Sequence, residues 1–212
     1  MRTLLYIPIV HNKADLGSLG SQLSAEGESK YGASRWQNHL EQVDKSWDEI
    51  EKEIYSRLTN IPFGKIKIYQ DGLPVAGDIG IKIVKEAAEK GSKNYQIVDH
   101  LLSNGAALEI AENKELLLKE YSLLSDISKA DTPEKQVDAY LVYQQIAQEL
   151  LNSRDNHISN QINTTLNDGE TGIAFFGAAH SVIDKLNKDI GIVLIKMFKD
   201  VISLNLSKQK DK

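Results

Sequence analysis

Apolar residues recur along this chain with two different periods, and their alternation predicts an order of elements. Leu4 to Val10 is almost uninterruptedly apolar, as expected of a strand buried on both faces of a parallel sheet. From Ser34 to Leu58 the positions Trp36, Leu40, Val43, Trp47, Ile50, Ile54 and Leu58 fall three or four apart, which predicts one long helix. Pro62 and Gly64 end it. Lys65 to Gln70 then alternates as a strand and runs into the turn signal Asp71-Gly72-Leu73-Pro74. Gly77 to Glu89 reads as a helix with Ile79, Ile83, Val84 and Ala87 on one face, closed by Gly91. Tyr95 to Leu102 is a further helix, Ala106 to Glu109 a short strand, and Glu112 to Ile127 the helix behind it. Asp131-Thr132-Pro133-Glu134 supplies an oxygen cap, a proline in the first turn and an early acid, so a helix starts there. It carries apolar positions through Ile162 and stops at Asn167-Asp168-Gly169. Gly172 to Gly177 is a buried strand, Val182 to Leu186 a short helix, and Ile190 to Ile195 a last strand. Strands alternating with helices predict an α/β fold, with a mainly parallel central sheet flanked by helices and with helical insertions. One domain over 1–206 and a frayed tail over 207–212 are expected.

Gly17 to Gly32 breaks the pattern. It is rich in Gly and Ser and too polar for core, so a mobile loop or lid is expected there. The N-terminal apolar run lacks a small-residue cleavage site, and no apolar stretch approaches the length of a membrane span. A cytoplasmic location with no membrane partner follows as an expectation.

Composition narrows the chemistry. The 212 residues carry 25 basic and 30 acidic side chains, a net charge of −5, which argues against nucleic acid as a partner. With no cysteine there is no disulfide, no thiolate metal site and no cysteine nucleophile. A metal would have to sit on His, Asp or Glu. No phosphate loop, dinucleotide glycine pattern, Gly-x-Ser-x-Gly elbow or His-Glu-x-x-His helix is present. The charges from Glu112 to Glu120 read as a solvated helix face.

Ligands of open parallel sheets bind beyond the carboxyl ends of the strands. The residues expected there are His11, Asn12 and Lys13 after the first strand, Asp71 after the second, Glu109 on the third, and His180 and Ser181 after the fourth. Two histidines and two carboxylates suit a divalent metal such as Mn, Zn or Co, or a metal-free acid/base pair near neutral pH. Each has a plainer reading: His11 and His180 as turn or capping residues, Asp71 as a turn residue, Glu109 as an acid near a helix dipole. His39, His100 and His157 fall on helices, as solvated or packed side chains.

Arg154-Asp155-Asn156-His157-Ile158-Ser159-Asn160-Gln161-Ile162, followed by Thr171-Gly172-Ile173-Ala174-Phe175-Phe176-Gly177-Ala178-Ala179-His180, resembles the TraB/Tiki family and its erythromycin-esterase-like and ChaN-like relatives. There an Arg-bearing helix leads into an apolar strand ending in Gly-x-x-His. Leu108 to Asn113 is similar to the family's Leu-Glu-Thr-x-Glu-Gln segment. Pro8-Ile9-Val10-His11 stands where the family has its first Gly-x-x-His, and Asp71 where it has Glu. The similarity is strongest over residues 154–186. It implies an α/β fold whose two histidines and acids form one site, with metal-dependent peptidase, ester hydrolase or haem-binding activity in different branches. By the same resemblance Arg154 would bind the anionic part of a small-molecule or peptide substrate, with an ion pair to Asp155, Glu149 or Asp71 as its plainer reading.

Three functions remain as expectations. The first is a hydrolase in which His11, His180, Glu109 and Asp71 hold a metal or activate water, with Arg154, Asn12 and Ser181 on the substrate. The second is a binder of a small molecule or haem without turnover, the haem ligand being His11 or a residue of 17–32. The third is a homodimer built on Trp36 and Trp47.

Overall fold

The computed structural model describes residues 1–9 and 20–196. In chain order the elements are β1 (Arg2–Ile9), α1 (Gly20–Tyr31), α2 (Ala33–Leu58), β2 (Ile66–Gln70), α3 (Gly77–Glu89), α4 (Lys93–Ser103), β3 (Ala107–Glu109), α5 (Lys114–Lys129), α6 (Pro133–Thr165), β4 (Thr171–Gly177) and β5 (Ile190–Leu194). The five strands form one sheet in the order β3-β2-β4-β1-β5, every pair parallel. The α/β architecture expected from the alternation is therefore the observed one.

Two cores sandwich the sheet. Leu5, Ile7 and Ile9 of β1 point to one face with Ile66, Ile68, Ile173 and Phe175, under the α2 residues Val43, Trp47, Ile50 and Ile54 and under Val98 and Leu101 of α4. Leu4 and Tyr6 point the other way, with Tyr69, Ala174 and Phe176, under Ile158 and Ile162 of α6. This is why β1 and β4 read as unbroken apolar runs: successive residues face different cores, and both are buried.

Local chemistry sets the helix boundaries. Ser92 caps α4, Asn113 caps α5 through the N–H groups of Glu115 and Leu116, and Thr132 caps α6 ahead of Pro133. The Asn113 cap starts α5 at Lys114, two residues beyond the expected Glu112, and this frees Glu112 from the helix.

Several expectations need correction. Residues 20–31, expected as loop, form α1, which packs on α2 and stacks Tyr31 on Trp36. Its Gly27 is a close approach: a Cβ there would lie 2.7 Å from the Trp36 ring. α3 is rotated from its expected face. Ile79 and Ile83 are exposed while Gly80 and Val84 face inward, because a hydrogen at Gly80 lets the helix settle against the Val75 carbonyl and Leu108. The helix expected over 182–186 is a single tight turn, Ile183–Lys185. Trp47 lies in the core against Phe175 and is 1% exposed, so it is not part of a surface face with Trp36. Among the described residues no helix is long and apolar enough to cross a membrane. Val10, His11, Asn12, Lys13 and the 207–212 tail lie outside the described residues.

Candidate functional site

A charged cluster forms at the carboxyl edge of the sheet, on the α6 side. Asp71 follows β2 directly, and its backbone N–H donates to Phe175 O at 2.8 Å, so the β2–β4 ladder fixes where its side chain starts. One carboxylate oxygen, Oδ2, accepts from the Gly177 N–H at 2.8 Å; the other, Oδ1, accepts from Arg154 Nη2 at 2.7 Å. His180 is placed by the turn after β4, where its N–H donates to Gly177 O at 3.0 Å. Its ring lies edge-on to Phe176 at 5.8 Å and shows Nε2 to Asp71 Oδ2 at 3.6 Å. That separation is long for a direct hydrogen bond.

Two neighbouring residues of α6 serve two different partners. Arg154 and Asp155 fall on the stripe that buries Leu150, Ile158 and Ile162, so both charged side chains point at the sheet. Asp155 Oδ1 contacts His180 Nδ1 at 2.5 Å, and its Oδ2 accepts from the Ser181 N–H at 2.9 Å. A carboxylate at Nδ1 places the proton on that nitrogen and leaves Nε2 as the basic one in the neutral ring. Arg154 donates from Nε to Glu112 Oε2 at 3.2 Å, from Nη1 to Glu120 Oε2 at 2.6 Å, and from Nη2 to Asp71 and Glu112 Oε1. Its guanidinium is thus committed to three carboxylates of this chain.

The charges do not balance. If all are ionised, Asp71, Glu112, Glu120 and Asp155 bring four negative charges against Arg154 and, when protonated, His180, and three if Glu112 holds a proton. The side chains of Asp71, Glu112, Arg154, Asp155 and His180 are all nearly closed to water, which removes the screening that makes such an excess harmless at a surface. The titration shifts follow. Burial pulls the His180 imidazole down, but the facing carboxylates, Asp71 before Asp155, outweigh it and hold it above its ordinary value. Burial also works to raise Asp71, and His180, Arg154 and the Gly177 N–H together reverse this and hold it well below the usual carboxylate range. Glu112 goes the other way: burial, helped by the neighbouring Asp71 charge, lifts it despite Arg154. Two adjacent acids pushed apart in this way are suited to one holding a proton while the other stays ionised.

Tyr6 lies beside the cluster. It is 3% exposed and tilts against Phe176 at 6.1 Å, and its hydroxyl has no hydrogen-bond partner among the described residues. Burial raises its pKa, with the Asp155 and Asp71 charges adding to the shift, so it stays a proton donor across the neutral range.

Asp71, Glu112 and His180 each bring one donor atom within 4.8 Å of the others. One imidazole nitrogen and two carboxylates are donor types that a divalent ion takes, and the same carboxylates already accept from Arg154.

Of the residues chosen from sequence, Asp71, Arg154 and His180 come together here, and Ser181 contributes its backbone N–H. Glu109 does not join them. Its carboxylate accepts from Lys67 Nζ at 2.7 Å, and the acid that reaches Asp71 is Glu112, three residues on. Arg154 holds carboxylates of its own chain, and Asp71 is the one of its expected partners that it pairs with. Glu112 and Glu120, expected on a solvated face, both grip Arg154; Glu112 is 2% exposed. Glu112, Asp155 and Tyr6 are the members that sequence reasoning missed. His11 and Asn12 lie outside the described residues. Neither a protein-family model, nor a curated protein, nor a solved structure matches this chain.

Proposed function

We propose that this protein is a hydrolase of the TraB/Tiki and erythromycin-esterase-like type, acting on a small-molecule or peptide substrate at the carboxyl edge of the sheet. The observation that carries the reading is the line Asp155–His180–Asp71, closed to water, beside an excess of carboxylate charge. Asp155 fixes the imidazole tautomer, so Nε2 takes a proton from water as the oxygen attacks the substrate carbonyl. The Tyr6 hydroxyl donates to the oxyanion that forms. Collapse of the tetrahedral intermediate breaks the bond to the leaving group, which takes the proton back from His180. Arg154 acts through the acids it positions, Asp71 and Glu112, and not on the substrate. In a metal-bound form, which would replace His180 as the base, Asp71, Glu112 and His180 would hold a divalent ion that lowers the pKa of water toward 7 and supplies hydroxide.

Binding of a small molecule without turnover uses the same residues. For its haem form, the expected ligand His11 lies outside the described residues.

The test joins metal content by elemental mass spectrometry to a screen of activated esters and short peptides. Hydrolysis by the wild type and a loss of about 10²–10⁴-fold in His180→Ala are expected. Near-stoichiometric Mn, Zn or Co that His180→Ala loses supports the metal form; a metal-free active protein leaves His180 as the base. Turnover that survives His180→Ala, or a wild type inert across the panel, overturns the hydrolase.

A further inference from the structure

Three side chains on the α2/α4 face of the sheet keep polar atoms that the described chain does not satisfy. Gln70, Trp47 and Asn94 are each 1% exposed. Gln70 Oε1, Trp47 Nε1 and both polar atoms of the Asn94 side chain have no hydrogen-bond partner among the described residues. Buried polar atoms left in this way are few in a folded protein, because each loses its hydration without a replacement bond.

The fold brings the three to one level. Gln70 ends β2 on the side of Ile66 and Ile68, and its register partner is Phe175 of β4. The Trp47 ring lies against Phe175 at 6.5 Å. α2 and α4 lie side by side over this face: Lys93 Nζ donates to Asp48 Oδ1 at 3.3 Å, and further along the Tyr55 ring meets the His100 ring at 5.4 Å. Trp47 and Asn94 adjoin the first of these contacts in sequence. Asn94 falls on the stripe with Ile97, Val98 and Leu101 that α4 buries. All three therefore sit at the carboxyl end of this core, on the other face of the sheet from the charged cluster.

We propose that Gln70, Trp47 and Asn94 form a binding site for a small uncharged group that both donates and accepts hydrogen bonds. The atoms on offer set that chemistry. Trp47 Nε1 and Asn94 Nδ2 donate, Gln70 Oε1 and Asn94 Oδ1 accept, and none of the three side chains titrates. Asp48 and Lys93, the charged neighbours in sequence, are exposed and paired with each other. An ion would be buried there without a counter-charge, and an apolar group would leave all four atoms unpaired. Two sources carry the required chemistry. One is buried water, which takes about two to four polar partners. The other is the neutral amide or hydroxyl of a bound molecule. Gln70 directly precedes Asp71 and donates from Nε2 to its carbonyl at 3.4 Å, so a molecule lying across the end of β2 would meet both faces. The site is separate from the reaction centre and does not depend on the hydrolase reading.

The test uses the indole N–H resonances of the full chain, of which there are two, assigned through Trp36→Phe. Despite its burial, Trp47 Nε1–H should show a cross-peak to water in a nitrogen-edited NOE spectrum, and Asn94→Leu should lose it. Gln70→Met should lose it too, and decides the matter if Asn94→Leu does not fold. Titration with acetylalanine amide, which is uncharged, separates the sources. A shifted Trp47 resonance without its water cross-peak, beside an unmoved Trp36, supports the site with a bound amide as occupant. A retained cross-peak and no shift supports it with water as occupant. Neither cross-peak nor shift overturns the proposal. So does a cross-peak that survives both Asn94→Leu and Gln70→Met, or a Trp47 shift that sodium acetate produces as well as the amide.

Discussion

Arg2 and Arg154 are buried to nearly the same degree, at opposite ends of the same parallel strands, and their surroundings differ in kind. Arg2 starts β1 and holds one acid, Asp189, which is largely in solvent. Its Nη1 donates to the carbonyls of Asn163 and Leu166 at the end of α6, where a cation complements the helix dipole. One charge meets one charge, and otherwise exposed helix carbonyls are satisfied. Arg154 meets three carboxylates, with Asp155 and His180 beside them, and two members of the cluster have shifted titrations of opposite sense. A buried ion pair that only holds a fold is expected to be matched, because an unmatched charge away from water costs several kcal/mol. Retained imbalance around Arg154, and balance around Arg2, sets the two arginines apart.

Removing each arginine tests that separation. Arg154→Ala strips three carboxylates of their counter-ion and should cost about 3–5 kcal/mol, with Tm falling by roughly 2–4 °C for each kcal/mol. Adding Glu112→Gln should recover part of the loss, because it removes the charge left unpaired. Arg2→Ala loses hydrogen bonds to carbonyls and an exposed acid, so about 1–3 kcal/mol is expected, with no recovery from Asp189→Asn. If the two arginines cost the same and neither is rescued, the contrast fails. Thermal denaturation of the five proteins measures it.

The next effect is one of pH. His180 is raised, so the stability its protonation contributes is complete below its ordinary value of about 6.5 and is lost as pH climbs through the higher folded value. Asp71 is lowered, so its contribution is complete above the usual carboxylate range and is lost as pH falls toward its depressed value. Tm should therefore decline on the alkaline side, and His180→Gln should flatten that limb and also weaken the acid one, because His180 is one of the groups that hold Asp71 down. In the hydrolase reading, activity needs the neutral ring and should rise over the pH interval where stability declines. The smallest effect has the opposite sign. Tyr6→Phe removes a buried hydroxyl that has no partner among the described residues and should raise stability by about 1 kcal/mol while, in the hydrolase reading, lowering turnover. A fall in Tm would mean the hydroxyl serves packing, not a ligand.

Most of the fold was legible because burial on two faces writes itself into the strands as unbroken apolar runs, and caps such as Thr132-Pro133 write themselves into the helices. α1 was not, because its Gly27 reads as a loop residue when it is a place of close approach to Trp36. At the site, Asp71 and His180 were legible as strand-end residues. Glu109 was preferred to Glu112 because the strand end was taken as the donor position, whereas the chain bends after β3 and the Asn113 cap holds the later acid out of α5. Asp155 was readable in principle: with Arg154 it interrupts the stripe of Leu150, Ile158 and Ile162, and a charge on a buried stripe calls for a partner. Tyr6 leaves no such mark, since an apolar strand accommodates a tyrosine without comment.

The order of the sheet also sets a sequence of events in time. β4 lies at the centre, between β1 and β2, yet its residues 171–177 are synthesised long after β1 at residues 2–9. Until then β2 has only β3 to pair with, and β1, whose partners are β4 and β5, has none. At about 5–20 residues per second, the apolar segment from Leu4 to Ile9 waits on the order of 10–30 s for its first neighbour. Such long-range parallel pairing folds slowly, and the chain passes through a long interval in which its most adhesive segment is unpaired. Tyr6 and His180 are separated by the same delay, so the charged cluster is complete only once the turn after β4 has been made.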